Sequence, residues 1–231
     1  IGIIAFLAFL FHCIIPEFAT QIMKENHIVI NKTARFFTLG ELNKKTKQVW
    51  FVLHGWGYDV KFFLSQFEPL LTKDIFFIAP EALNRFYLKG TGGKVGAAWM
   101  TKEDRLNEIK DYIHYLDDIY ESFELDKFSG SINALGFSQG ASTVTRWINT
   151  TKRNIDKLIV YAGEVAPELF PLQQSSGLRR TKNIFICDTQ AAYLNAEILV
   201  QMKAIYHEMN FIENEFEGKH RINTDVLKPF F

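Results

Sequence analysis

Cysteine is nearly absent from this chain: two occur in 231 residues, Cys13 and Cys187. Cys187 falls in the apolar run "NIFICD", which reads as a buried strand, so no disulfide framework is expected. No C-x-x-C or H-E-x-x-H pattern is present, and a metal site has no support. An excess of either charge is also missing. Lys+Arg and Asp+Glu stand at 26 each, which leaves no electrostatic footprint for nucleic acid or anionic lipid. Internal repeats, low-complexity tracts and linkers are lacking too, and a single domain is expected. The longest apolar run, "IGIIAFLAFLFHCII" (1–15), falls short of the about 20 residues of a membrane span. It has the length of a signal-peptide core, yet no basic residue precedes it and "EFAT" is a poor cleavage site. Two readings stand for the leader, residues 1–22. It is a signal or anchor, and the protein is exported or membrane-anchored; or it is an upstream extension, and a cytoplasmic protein starts at Met23. Either way the folded domain is placed at 23–231.

What is present argues for a large core: 48% hydrophobic residues, with 22 phenylalanines among them. Residues 27–40 read as one or two strands of an opening hairpin. "QVWFVLHG" (48–55) and "DIFFIAP" (74–80) are continuous apolar runs, as strands buried on both faces are. "VKFFLSQFEPLL" (60–71) has helical periodicity. So has 101–123, where Thr101 with Asp104 forms an S/T-x-x-D start and Leu106, Ile109, Ile113 and Leu116 recur at helix spacing. Beyond it come strand "SINALGF", helix "QGASTVTRWINTT", strands 156–164 and 183–188, helix 191–209, strand "FIENEFEG" and a short terminal helix. Strands alternating with helices predict an α/β fold, a mostly parallel sheet with helices on both faces. The longest irregular stretches, 81–100 and 165–182, are too short for a large cap domain.

"LGFSQG" (135–140) sets Ser138 between two glycines where a buried strand must turn into a helix. A G-x-S-x-G turn of this kind strains the serine backbone and lifts its hydroxyl above the sheet. Side chains at 136 and 140 would collide with neighbouring elements. The helix opening at Gln139 aims its N–H groups at the same point, favouring developing negative charge. "LHGWG" (53–57) ends another buried strand and can turn the Trp56 N–H toward the Gln139 N–H, the two donors of an oxyanion hole. His54, inside that strand, reads as a structural histidine. A serine nucleophile needs a base, which in this architecture follows the last strand, where "FEGKHRI" supplies His220. His12 lies in the leader, His27 precedes the core, and His114 and His207 sit within helices.

Taken together, "VLHGWG", "APEALNRFYLKG", "AAWMTKEDRLNEI", "LGFSQGAS", "YAGE" and the late "GKH" resemble the phospholipase/carboxylesterase branch of the α/β hydrolases, the group of the acyl-protein thioesterases. The likeness runs from about residue 48 to 225. It implies an α/β-hydrolase fold, a Ser-Asp-His triad, no cofactor, and hydrolysis of short- to medium-chain carboxylic esters or acyl thioesters through an acyl-enzyme on Ser138. It also suggests Trp99 and Met100 as pocket residues, with core packing as the plainer alternative. Phe86 and Tyr87 offer an aromatic rim.

The chain departs from that pattern at the acid. The family carries G-x-x-D after the penultimate strand; in "ICDTQAAYL" Asp188 takes the glycine's place and Ala191 the acid's. Asp188 serves from a shifted position, Glu164 of "YAGE" serves instead, or the acid is missing. In the last case the protein is a weak esterase or a non-catalytic binding protein on a hydrolase fold. "GTGGKVG" does not match a phosphate-binding loop and reads as a flexible loop beside the site.

Overall fold

Apolar runs that the chain cannot expose form the middle of a seven-stranded sheet. Its strands are β1 (Phe36–Leu39), β2 (Gln48–Leu53), β3 (Ile75–Pro80), β6 (Ser131–Phe137), β7 (Lys157–Tyr161), β8 (Lys182–Asp188) and β9 (Ile212–Phe216). β4 (Asn84–Lys89) and β5 (Gly92–Ala98) make a separate hairpin. The computed structural model describes residues 23–188, the helical positions 200, 202, 203, 206 and 207, and 210–231. The sheet order is β1-β3-β2-β6-β7-β8-β9, with β1 antiparallel at one edge and every other pairing parallel. The compact unit is Ala34–Phe231. In the preceding unit, residues 23–33 have no regular structure, and Met23, Ile28, Val29 and Ile30 are exposed.

Strand alternation divides the core in two. Val49, Phe51 and Leu53 of β2 point to one face, where they meet Tyr112 and Leu116 of α2 (Arg105–Ser122) and Val144 and Trp147 of α3 (Gln139–Thr150). Trp50 and Val52 point to the other, where Phe63 of α1 (Val60–Ser65) and Leu227 of α4 (Thr224–Leu227) cover them. Helices therefore lie on both faces, as the unbroken apolar strands predict. Asp117 ties α2 to α3 by accepting from the Trp147 indole N–H (2.8 Å) and the Thr151 hydroxyl (2.7 Å).

Several expectations need correction. The opening hairpin is only the edge strand β1. The irregular stretch 81–100 and its Gly-rich loop are mainly the β4–β5 hairpin, closed by the two-residue turn at 90–91 with Gly90 at φ +56°. Alternation in "RFYLK" outweighed the glycines, and Gly96 has a packing reason: a Cβ there would stand 2.2 Å from the Gly57 carbonyl oxygen. The α2 start differs as well. Asp104 makes no side-chain cap, and the Glu108 carboxylate accepts the Thr101 N–H (2.6 Å). Leu106, expected on the buried stripe, is exposed. The helix expected over 191–209 lies mostly outside the described residues, as does the leader 1–22. Among the described residues no large cap is present, and no helix is long and apolar enough to cross a membrane.

α3 comes down on the sheet with no side chain between them at two points. A Cβ on Gly136 would lie 2.3 Å from the Gly140 carbonyl oxygen and 2.6 Å from Ala141 Cα; one on Gly140 would lie 2.3 Å from the Leu53 carbonyl oxygen. All of these are backbone atoms, which cannot swing aside. Gly136→Ala should therefore destabilise by at least about 2 kcal/mol. Gly92→Ala, whose Cβ meets nothing within 4 Å, should stay within about 0.5 kcal/mol of the parent. Urea unfolding of both variants checks this, and equal midpoints would refute the steric account.

Candidate active site

Ser138 sits at the β6–α3 junction with φ +53° and ψ −119°, a conformation that costs a non-glycine residue about 1–3 kcal/mol. The backbone is held on both sides. The Ser138 N–H donates to the Tyr161 carbonyl (3.0 Å), and its own carbonyl accepts the Ala141 N–H (2.9 Å). Ser138 occupies the N-cap of α3, yet its side chain makes no capping hydrogen bond. The hydroxyl is thus not consumed by the helix.

The loop after β2 runs beside it: a Cβ on Gly55 would stand 3.1 Å from Ser138 Cβ. His54 fixes this loop from within the core. Its Nε2 accepts the Ala82 N–H (3.1 Å), which places the ring proton on Nδ1, where it meets the Gly55 carbonyl (2.7 Å). Burial pushes the His54 pKa down, in keeping with a neutral ring. The Trp99 indole N–H donates to the His54 carbonyl (2.8 Å), and the Gly57 N–H to Ala97 of the hairpin (2.8 Å). Among the described residues the backbone N–H groups of Trp56 and Gln139 enter no hydrogen bond.

Trp99, expected on the pocket wall, is 1% exposed and packed between His54 (5.3 Å) and Tyr112 (6.1 Å), so it is a core residue. Met100 is half-buried, with its sulfur 3.6 Å from an Arg146 guanidinium nitrogen. The Gln139 side chain has a use that the sequence did not signal. Its Oε1 accepts the Trp99 N–H (3.0 Å) and its Nε2 donates to the Met100 carbonyl (2.9 Å). One amide clamps the end of the hairpin to the start of α3.

Parity along β8 places one of the two candidate acids, Asp188. In β8, Ile184, Ile186 and Asp188 share a face, and Phe185 and Cys187 the other. Asp188, 0% exposed, thus ends on the face of Phe137 and Tyr161. His220 lies on the loop after β9, with its ring 4.8 Å from that of Phe137, the neighbour of Ser138. Partial desolvation lowers the His220 pKa, and the Asp188 carboxylate pulls it back up. Glu164 faces elsewhere. Burial raises its pKa, the Arg146 guanidinium lowers it and the Glu168 carboxylate raises it. Although burial pushes Glu168 up, hydrogen bonds from Arg146 (2.6 Å) and Arg105 (2.7 Å) hold it at about 2. Ala191 lies outside the described residues.

Tyr161 ends β7 and anchors the histidine loop. Its hydroxyl donates to the Arg221 carbonyl (3.2 Å) and accepts the Asn223 N–H (2.9 Å). No motif announced this role, since a tyrosine ending an apolar strand reads as core. Trp56 is 59% exposed and lies against Phe86 of the hairpin, ring centroids 5.1 Å apart.

Two outcomes follow. Asp188→Asn should lower the His220 pKa further, because the imidazolium loses its carboxylate; an NMR pH titration of the ring reads this, and an unchanged value would separate the two residues. Tyr161→Phe should cost about 1–3 kcal/mol in urea unfolding, because it removes both loop hydrogen bonds and leaves the Asn223 N–H without its acceptor. A cost near zero would mean that the loop is held by other contacts.

No protein-family model matches this sequence, and no curated protein does. Solved structures match over most of their length. Esterase PE8 is 20% identical, with a TM-score of 0.61 over 86% of this chain and 96% of that one. Acyl-protein thioesterase 2 of Zea mays is 13% identical, with a TM-score of 0.66 over 86% and 96%. The carboxylesterase of Bacillus cereus is 12% identical, with a TM-score of 0.58 over 87% and 92%. Likeness at such identities speaks for architecture alone, and the chain has the α/β-hydrolase fold.

Proposed function

We propose that this protein is a serine hydrolase of carboxylic esters or acyl thioesters, acting through an acyl-enzyme on Ser138. The observation that carries the reading is the strained Ser138 backbone, at φ +53° between two glycines that backbone contacts make necessary. Strain of this kind persists only where surrounding structure enforces it, and it gathers at functional sites. Similarity to esterases and a thioesterase raises the prior for this chemistry without deciding it.

In the reaction His220 takes the Ser138 proton as Oγ attacks the substrate carbonyl carbon. The carbonyl oxygen gains the negative charge and is held by the Trp56 and Gln139 N–H groups, which have no competing acceptor among the described residues. Collapse breaks the bond to the leaving oxygen or sulfur, which takes the proton from His220. Water then attacks the acyl-enzyme by the same route and releases the acid. Asp188 fixes the imidazole tautomer and stabilises the imidazolium. It is assigned this role over Glu164 because His220 feels its charge, while the ionised neighbours of Glu164 are Arg146 and Glu168. The acyl group is assigned to the apolar wall of Trp56 and Phe86. None of these steps calls for a metal or a cofactor.

The test is hydrolysis of p-nitrophenyl butyrate together with fluorophosphonate labelling. Ser138→Ala should abolish both. Asp188→Asn should lower turnover by about 10³–10⁴-fold, as expected when the imidazole loses its orienting carboxylate. Glu164→Gln, away from the histidine, should stay within about threefold of the parent. The rate should fall on acidification below pH ~6.5, because His220 must be neutral to act and its pKa lies below the ordinary histidine value. An unlabelled, inactive parent would leave a binding protein on a hydrolase fold.

A further inference from the structure

Trp99, at the end of the β4–β5 hairpin, donates in two directions. Its backbone N–H goes to the side-chain oxygen of Gln139 (3.0 Å), the first residue of α3. Its indole N–H goes to the carbonyl of His54 (2.8 Å), the first residue after β2. These two segments carry the N–H groups assigned to the oxyanion hole, those of Gln139 and Trp56. The segments also meet each other. A Cβ on Gly140 would lie 2.7 Å from the His54 carbonyl oxygen, and one on Gly55 would lie 3.1 Å from Ser138 Cβ. The His54 carbonyl therefore lies against α3 while it accepts the Trp99 indole.

On the loop side a single peptide group has to be held still. The Trp56 N–H shares its peptide with the Gly55 oxygen, and in a planar trans peptide a fixed oxygen fixes the direction of the N–H. That oxygen meets His54 Nδ1 (2.7 Å) and accepts the Tyr58 N–H (3.3 Å). On both sides of this peptide the chain is fastened to the end of the hairpin. The Trp99 indole holds His54, the Gly57 N–H donates to the Ala97 carbonyl (2.8 Å), and the Tyr58 carbonyl accepts the Ala97 N–H (3.2 Å). The Gln139 amide fastens the same hairpin end to α3 through Trp99 and Met100. On the helix side, the Gln139 N–H shares its peptide with the Ser138 carbonyl, which accepts the Ala141 N–H (2.9 Å). Trp99 thus bonds to both segments. Its ring, 1% exposed and packed between His54 and Tyr112, sits in a core too dense for it to drift.

Resting on the serine-hydrolase reading, we propose that Trp99 is a positioning residue that sets the spacing between the two oxyanion donors. It touches no substrate. It acts through His54 on the Trp56 peptide and through Gln139 on the start of α3. Preorganised donors lower the barrier only where the oxyanion forms, so a drift of one donor relative to the other weakens the transition state more than substrate binding.

Trp99→Phe tests this, since it keeps an aromatic ring and the backbone N–H and removes only the indole donor. Trp147→Phe is its control: the same change in another fully buried tryptophan, whose indole N–H joins α3 to Asp117 of α2. On p-nitrophenyl butyrate, Trp99→Phe should lower kcat/KM by about 10–100-fold, a part of the loss seen when an oxyanion donor is removed outright. The inhibition constant of butyl trifluoromethyl ketone should rise by a similar factor. In that adduct Ser138 Oγ bonds to the carbonyl carbon, the serine proton passes to His220, and the ketone oxygen becomes the anion in the hole. Trp147→Phe should lower the urea midpoint comparably yet keep both constants within about threefold of the parent. Gln139→Met retains its backbone N–H, breaks the other end of the bridge and should move both constants as Trp99→Phe does; it decides the matter if Trp99→Phe does not fold. Parental constants in these two variants, or an equal loss in Trp147→Phe, overturn the positioning role and leave the esterase intact. A parent with neither turnover nor fluorophosphonate labelling overturns the serine-hydrolase reading, and the positioning role with it.

Discussion

Backbone contact between α3 and the sheet, with no side chain between, is the constraint on which the remaining geometry depends. Gly136 faces the first turn of α3, Gly140 faces the end of β2, and a Cβ on Gly163 would lie 2.5 Å from the Ser138 carbonyl oxygen. A helix drawn this close has no room for a relaxed connection, so Ser138 takes a left-handed φ. Hydrogen bonds to Tyr161 and Ala141 then make the strained conformer the one that satisfies the backbone. The Gln139 N–H, at the start of α3 and next to Ser138 in the chain, has no partner inside the helix.

Around that junction, three polar side chains hold the loops. His54 bonds to Ala82 and Gly55, Gln139 bridges Trp99 and Met100, and Tyr161 joins the carbonyl of 221 to the N–H of 223. Each reaches out from a strand end or from the start of α3 and satisfies backbone groups of an irregular segment. Loops carried in this way keep their geometry because leaving it would strand partly buried polar groups. The same logic governs Arg146, a buried cation whose hydrogen bond to Glu168 ties the chain after β7 to α3.

The two-sided sheet also separates the charges. Asp188, Tyr161 and Phe137 share one face with the histidine loop, while Glu164, Arg146, Glu168 and Tyr206 gather on the other. A carboxylate one residue earlier along β8 would point away from His220, because alternate side chains take opposite faces. Asp188 is therefore positioned by parity as much as by proximity.

Local sequence determined a good deal. Unbroken apolar runs are forced to become strands covered on both faces, and G-x-S-x-G at a strand end admits little besides a tight turn into a helix. Those features depend on each residue's own sterics and hydropathy, and the turn at Ser138 and the buried strands of the parallel sheet were legible for that reason. Tertiary structure alone decided the rest. Nothing in "QG" tells that the Gln139 amide reaches residues 99 and 100, and nothing in "VYAG" marks Tyr161 as the anchor of a loop some sixty positions later. Trp99 reads equally well as pocket or core until His54 and Tyr112 close around it. Asp188 and Glu164 both read as the ends of strands, but β7 stops at Tyr161, so Glu164 lies in the chain beyond it near Arg146 and Glu168, while Asp188 ends β8 on the face of Phe137 and Tyr161. Contacts between residues far apart in the chain are set by how elements pack, and a sequence records them only as residues compatible with many partners.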